Sequence, residues 1–175
     1  PRFERIAQES GVPLAAVRAI AAVESTGKAD VLRFEPHMFL KARPDLKNVV
    51  KYTPKGPRQA WSVISSETGR AAFEVAFALD QIAAMNSASF GSYQVMGNYL
   101  LKLYPNPVQA YVAWKDDPEQ VSDRMFVLWL KDHPAVVAAA QLPNWEKFAR
   151  AYNGPGQVAV YAAKLQDAHT VALTA

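Results

Sequence analysis

The stretch Leu14-Ala15-Ala16-Val17-Arg18-Ala19-Ile20-Ala21-Ala22-Val23-Glu24-Ser25 decides how the chain is read. Leu14, Val17, Ile20 and Ala21 recur at helical spacing, and Glu24 falls next on the same stripe. A carboxylate in a buried stripe is costly unless it is paired or put to use. Glu24 also lies just before Gly27, which reads as the helix C-cap, so it sits at the negative end of the helix dipole. Burial and dipole both disfavour the charged form and push the carboxyl pKa upward, as a general acid requires. Taken alone, the pattern also describes a glutamate snorkelling at a helix end or paired with an arginine.

Composition narrows the classes. The chain has 175 residues, half of them hydrophobic, enough for one domain with a substantial core. No apolar run approaches the ~20 residues needed to span a bilayer. The opening Pro1-Arg2-Phe3-Glu4-Arg5 lacks the apolar core of a signal peptide. With no cysteine there is neither a disulfide framework nor thiolate chemistry. The net charge of +3 suits an anionic polymer such as nucleic acid or cell wall, and a solvated surface explains it equally well.

Working outward from Glu24, Phe3 to Glu9 reads as a short amphipathic helix joined through Gly11-Val12-Pro13. This pair of helices has the outline of a helix-turn-helix, so DNA binding is weighed. The second helix argues against it, because Arg18 is the only side chain in its N-terminal turns suited to base edges or phosphates. Residues 31 to 37 alternate and predict an edge strand bounded by Pro36. Residues 41 to 57 read as an irregular loop, followed by helices over Arg58 to Ser66 and Arg70 to Met85. The second of these carries Phe73, Ala76, Phe77, Asp80 and Ala84 at helical spacing. A short helix from Gly97 to Tyr104 comes next. Pro107, Pro118 and Pro134 then open helices to about 115, 132 and 140, two of them after good N-cap residues. Asn144 caps a helix to Tyr152, and a last helix spans about 157 to 173 with Val158, Tyr161, Ala162, Leu165 and His169 on a core face. No repeat or linker interrupts the chain. The expected architecture is therefore one all-α domain over residues 1–175, with at most a small β-hairpin near residues 31–37.

Several chemistries lack their residues. His37, His133 and His169 are scattered without metal-ligand spacing, and no Gly-x-Ser-x-Gly elbow or phosphate-cradling Gly-rich loop occurs. Two other stretches are informative. Ser89-Phe90-Gly91-Ser92-Tyr93-Gln94-Val95-Met96-Gly97 sets an amide beside an aromatic ring. Ala149-Arg150-Ala151-Tyr152-Asn153-Gly154-Pro155-Gly156 ends a helix with a phenol and an amide before a tight turn. Sugars need this mixture of hydroxyls and amides for ring substituents and aromatic faces for stacking. Each stretch also reads as turn chemistry with core packing.

Glu24-Ser25 at a helix end, Arg33-Phe34-Glu35-Pro36-His37-Met38-Phe39, the Ser89 to Gly97 stretch and Asn144 to Gly156 occur in that order. The succession resembles the lysozyme-like lytic transglycosylase superfamily, and more closely the phage N-acetylmuramidase endolysins. The resemblance implies an α-rich, lysozyme-like fold and cleavage of the β-1,4 bond between N-acetylmuramic acid and N-acetylglucosamine. By position it makes Glu24 the catalytic acid. It matches Glu35 and His37 to the family's Phe-Glu-x-His stretch, Gln94 to the glutamine of the cleft motif, and Tyr152 and Asn153 to a Tyr-Asn pair. Two departures bear on substrate contacts: Ser92 stands where an apolar residue is commoner, and Gln157 where an aromatic is common. Family members often add a wall-binding domain, for which this chain has no room.

The resulting expectation is a phage or prophage lysis enzyme, monomeric, acting on bacterial peptidoglycan with neither cofactor nor metal, and inserting in no membrane. Glu24 is the general acid and Glu35 the second carboxylate or a positioning group, with His37, Tyr93, Gln94, Tyr152 and Asn153 as substrate-binding residues. Without a signal segment, synthesis in the host cytoplasm and release to the periplasmic wall at lysis is the expected route. The alternatives are a lytic transglycosylase, whose product closes a 1,6-anhydro ring, and a non-catalytic wall-binding or DNA-binding module.

Overall fold

The computed structural model describes residues 2–48, 52–55, 58–61 and 69–174. The expected Glu24 helix is α2 (Leu14–Ser25), preceded by α1 (Arg2–Ser10). Ala16, Val17, Ala19, Ile20 and Ala21 are all buried, so α2 is enclosed on nearly every side. Its outward side carries Ala15, Arg18 and Ala22, and Arg18 is paired with Glu4 at 3.6 Å. The helix ends one residue before the expected cap. Thr26 takes the first left-handed conformation (φ 55°) and Gly27 the second (φ 80°), with Gly27 N–H bonding back to Ala21 O at 3.0 Å.

β1 (Leu32–Phe34) follows, then α3 (Pro36–Ala42). β1 is an edge strand as expected, but it stops before Pro36, whose fixed φ and missing N–H suit the first turn of a helix, where it stands. The expected loop over 41–57 contains the end of α3, a 3₁₀ turn (Pro44–Asn48) and β2 (Tyr52–Lys55). The expected helix from Arg58 is instead β3 (Arg58–Trp61), paired antiparallel with β2; its remainder, 62–66, lies outside the described residues.

The helix expected over 70–85 is two, α4 (Gly69–Leu79) and α5 (Gln81–Asn86). Asp80, read as part of an apolar stripe, is the N-cap of α5; its side chain accepts Ala83 N–H at 2.9 Å and Arg43 holds it at 2.6 Å. β4 (Ala88–Phe90) and β5 (Val95–Met96) complete a three-stranded antiparallel sheet of order β1-β4-β5. That sheet and the β2–β3 hairpin correct the expectation of one hairpin near 31–37. Leu32 pairs with Phe90 and Phe34 with Ala88, while Phe90 also pairs with Val95. The α-rich class stands.

The remaining helices form as expected: α6 (Gly97–Leu103), the proline-initiated α7 (Pro107–Asp116), α8 (Pro118–Lys131) and α9 (Pro134–Gln141), then α10 (Trp145–Asn153) and α11 (Val158–Leu173). Asn106, Asp117 and Asn144 cap α7, α8 and α10 through N–H groups three residues on, at 3.0, 3.0 and 3.1 Å. In the core, Phe73 meets Phe34, Phe90 and Tyr111, which ties α4 to the sheet and to α7. The small side chains of α2 let α11 lie closely along it, and α11 also packs on α10. This packing sets the last helix over the end of the Glu24 helix. Among the described residues no single helix is long and apolar enough to cross a membrane.

Candidate active site

Glu24 is the penultimate residue of α2 and is only partly exposed. Burial pushes its carboxyl up to about 7. Two influences oppose that rise: the Tyr161 hydroxyl donates to Oε1 at 2.5 Å, and the cation of Arg33 acts on the carboxylate. Oε2 has no partner among the described residues, which leaves it as the oxygen able to carry a transferable proton. Near neutral pH the group is therefore divided between acid and carboxylate.

Tyr161 was read in the sequence as part of a core stripe. Ala162, Leu165 and His169 do form that core, but Tyr161 stands at its edge with its hydroxyl on Glu24. Asn153, exposed at the end of α10, acts on the same hydroxyl and favours the phenolate, as a donor does. Tyr161 thus stands between Asn153 and Glu24. A phenol in an otherwise apolar stripe was the available sequence signal, since a buried hydroxyl seeks a polar partner.

The other expected residues divide between the site and its support. Tyr152 donates its hydroxyl to the Tyr93 carbonyl, and its ring meets Phe148 and Trp129. Its burial and the nearby Glu24 charge raise its pKa well above the usual phenol value. It is a structural hydrogen-bonder within reach of the field of Glu24. Tyr93 corrects the expectation of a sugar-stacking ring: the side chain is fully buried and stacked on Phe126 at 3.9 Å, so no sugar can reach its face.

Gln94 is turned inward. With φ at 49°, its Oε1 accepts Ser89 Oγ at 2.9 Å, and its Nε2 donates to Gly91 O at 3.0 Å and Val31 O at 3.4 Å. The amide N–H groups that a sugar would need are spent on holding the β4–β5 turn to the loop before β1. Gly91 is required at that turn, since φ is 78° and an added Cβ would lie 1.7 Å from Ser122 Oγ.

Glu35 caps α3 by position, its N–H bonding Ser87 O at 2.8 Å, and its side chain is 36% exposed. His37 Nδ1 stands 3.6 Å from Glu35 Oε2. Arg33 and Glu35 alternate with the buried Leu32 and Phe34, so they share the outer side of this segment. The charge of Arg33 acts on both Glu24 and Tyr161.

A helical scaffold with a small sheet, holding one half-hidden acid at a helix end, is the architecture of a lysozyme-like glycosidase. A solved structure shares it: the endolysin of Burkholderia AP3 phage is 26% identical, with a TM-score of 0.74, over 99% of this chain and 69% of that one. No match is found among curated proteins. The Muramidase family model (N-acetylmuramidase) matches residues 13–172. The chain belongs to the N-acetylmuramidase family, glycoside hydrolases that degrade peptidoglycan.

Proposed function

We propose that this protein is a phage or prophage lysis enzyme that hydrolyses the β-1,4 bond between N-acetylmuramic acid and N-acetylglucosamine, with Glu24 as the general acid. The observation that carries the reading is the state of Glu24. It is buried enough to hold its proton near neutral pH, and it is in contact with a donor that supports the carboxylate once the proton leaves. Protonated Oε2 gives its proton to the glycosidic oxygen as the bond lengthens. The charge left behind is met by Tyr161 O–H and the field of Arg33. Both interactions strengthen as the carboxylate forms, so they favour the transition state over the ground state.

Glu35, held by His37, is the second carboxylate of this reading; it activates water or stabilises the sugar cation. Asn153 reaches the site through Tyr161 and is the candidate contact for a sugar substituent. Tyr152, Tyr93 and Gln94 shape the site from behind. The residues act together as one monomeric catalytic domain on peptidoglycan rather than on nucleic acid or a membrane. Synthesis in the host cytoplasm with release to the wall at lysis fits the phage endolysin it resembles. The test is digestion of purified peptidoglycan by wild type and Glu24→Gln, with the fragments analysed by mass spectrometry. Cleavage at another bond, or a fully active Glu24→Gln, contradicts the proposal.

A transglycosylase reading keeps Glu24 and dispenses with the second carboxylate. The feature favouring it is that, among the described residues, Arg33 is the charge acting on Glu24 and no carboxylate does so.

A further inference from the structure

The turn Gly91–Gln94 between β4 and β5 presents two carbonyls to the elements around Glu24. Ser25, the residue after Glu24, donates its hydroxyl to Ser92 O at 2.9 Å, and Tyr152 donates to Tyr93 O. Where each carbonyl points is set by the ψ of its residue, and anchoring the side chains of Ser92 and Tyr93 limits how far that backbone can turn. Tyr93 is held by its stack on Phe126. Ser92 is fully buried, and its Oγ accepts Arg2 Nη2 at 2.7 Å.

The guanidinium of Arg2 is itself fixed from three sides. Nε donates to Asp123 Oδ1 at 2.8 Å, Nη2 lies 2.7 Å from the same oxygen, and Nη1 reaches Glu119 at 3.3 Å. Asp123 is 2% exposed, and its other oxygen takes Arg5 Nη2 at 3.0 Å. Yet Arg2 lies on α1, ahead of the residues 13–172 that match the family. We propose that Arg2 is a positioning residue of the muramidase site: held by Asp123, it locks Ser92 and so fixes the turn against which Ser25 and Tyr152 orient Glu24. The inference rests on Glu24 as the acid.

Only a planar fork can serve Asp123, Glu119 and Ser92 together. A lysine keeps the charge against Asp123 and gives up the reach to Ser92. Ser92→Ala breaks this link alone and Arg2→Lys breaks it together with the exposed Glu119 contact, while both leave Asp123 paired, so both are expected to fold. The experiment measures kcat, KM, the pH profile of kcat and Tm for the full chain on soluble peptidoglycan fragments, beside Glu24→Gln.

Misplacement of a reacting group by about 1 Å costs up to about 10²-fold. Both variants are therefore expected to lose about 10-fold to 100-fold in kcat with KM little changed. The double variant should be no worse than the poorer single one, because both remove the same link. Their alkaline limb should move to lower pH, because a loosened turn admits water to Glu24 and weakens the burial that holds its proton. Unchanged kcat in both variants, with Glu24→Gln inactive, overturns the role of Arg2. A fall in kcat matched by Tm with the limb unmoved makes the link merely structural and overturns it as well. An active Glu24→Gln removes the reading of the site itself, and the inference with it.

Discussion

Tyr161 donates its hydroxyl to Glu24 Oε1 at 2.5 Å across 137 positions of sequence. The bond favours the carboxylate, as does Arg33, and both hold the Glu24 pKa below where burial alone would put it. Removing either is therefore expected to raise that pKa above about 7. Activity that needs protonated Glu24 should then persist to higher pH, while the maximal rate falls because the new carboxylate loses support. Losing one such donor costs about 10²-fold or more in kcat. The kcat–pH profiles of Tyr161→Phe and Arg33→Gln check this, and an alkaline limb that stays put or moves down counts against it.

Glu24→Gln should abolish cleavage, since it keeps shape but carries no transferable proton; loss of general acid catalysis costs ~10²–10⁴-fold. It should also stabilise the protein, and only at the upper end of the pH range. The folded carboxyl keeps its proton to about pH 7, against 4.5 for the ordinary group. Between those values the folded state binds more protons than the unfolded one, so stability falls as pH rises through the window and the full cost stands above it. That cost is about 3 kcal/mol. Thermal denaturation should show Glu24→Gln above wild type at pH 8 and level with it at pH 4. Equal gains at both pH values would point to a packing effect instead.

Tyr152 and Asn153 are neighbours in sequence with different expected losses. Tyr152→Phe leaves the Tyr93 carbonyl without its hydroxyl partner, a loss of about 1 kcal/mol in stability with a matching fall in activity. In a chain of this size that is about 2–4 °C in Tm. Asn153→Ala removes an exposed side chain whose partner is Tyr161, so kcat should fall with Tm nearly unchanged. Melting curves and rates measured side by side separate the two. Equal behaviour of the two variants would erase the distinction between support and site.

What the sequence made legible was local. Pro107, Pro118 and Pro134 announce helices because a missing N–H and a fixed φ act within one turn, and Asn106, Asp117 and Asn144 cap within three residues. Asp80 misled because a cap and a stripe position can coincide in spacing. β4 and β5 escaped because three and two residues are too few to show a period, and the pairing of β4 with β1 joins residues more than fifty apart. The same limit applies to the site. The stripe marked Glu24 as a misplaced carboxylate, but its partner Tyr161 arrives through the packing of α11 on α2. The sequence offers Tyr93 and Gln94 as substrate-binding residues because an aromatic ring beside an amide suits sugars. The left-handed backbone at Gln94 and the Phe126 stack turn both inward, and neither shows in local sequence.

The last prediction concerns how the glycosidic bond is finished. Hydrolysis must bring water to the anomeric carbon, by a base that activates it or through a covalent intermediate that water then opens. Either role falls to a second carboxylate, and Glu35 is the one we propose for it. It follows Arg33 on the outer side of the β1 segment and is steadied by His37 at 3.6 Å. A transglycosylase needs no such group, because the 6-hydroxyl of the muramic acid attacks intramolecularly and the product is lighter by one water. Digestion is expected to yield reducing N-acetylmuramic acid ends, and Glu35→Ala to be severely impaired. His37→Ala should fall less far, since it releases the carboxylate without deleting it. Mass spectrometry that finds 1,6-anhydro ends instead would replace hydrolysis with transglycosylation and strip Glu35 of its role. Reducing ends from a fully active Glu35→Ala would keep hydrolysis and assign the water to other groups on the face that Arg33 shares with Glu24.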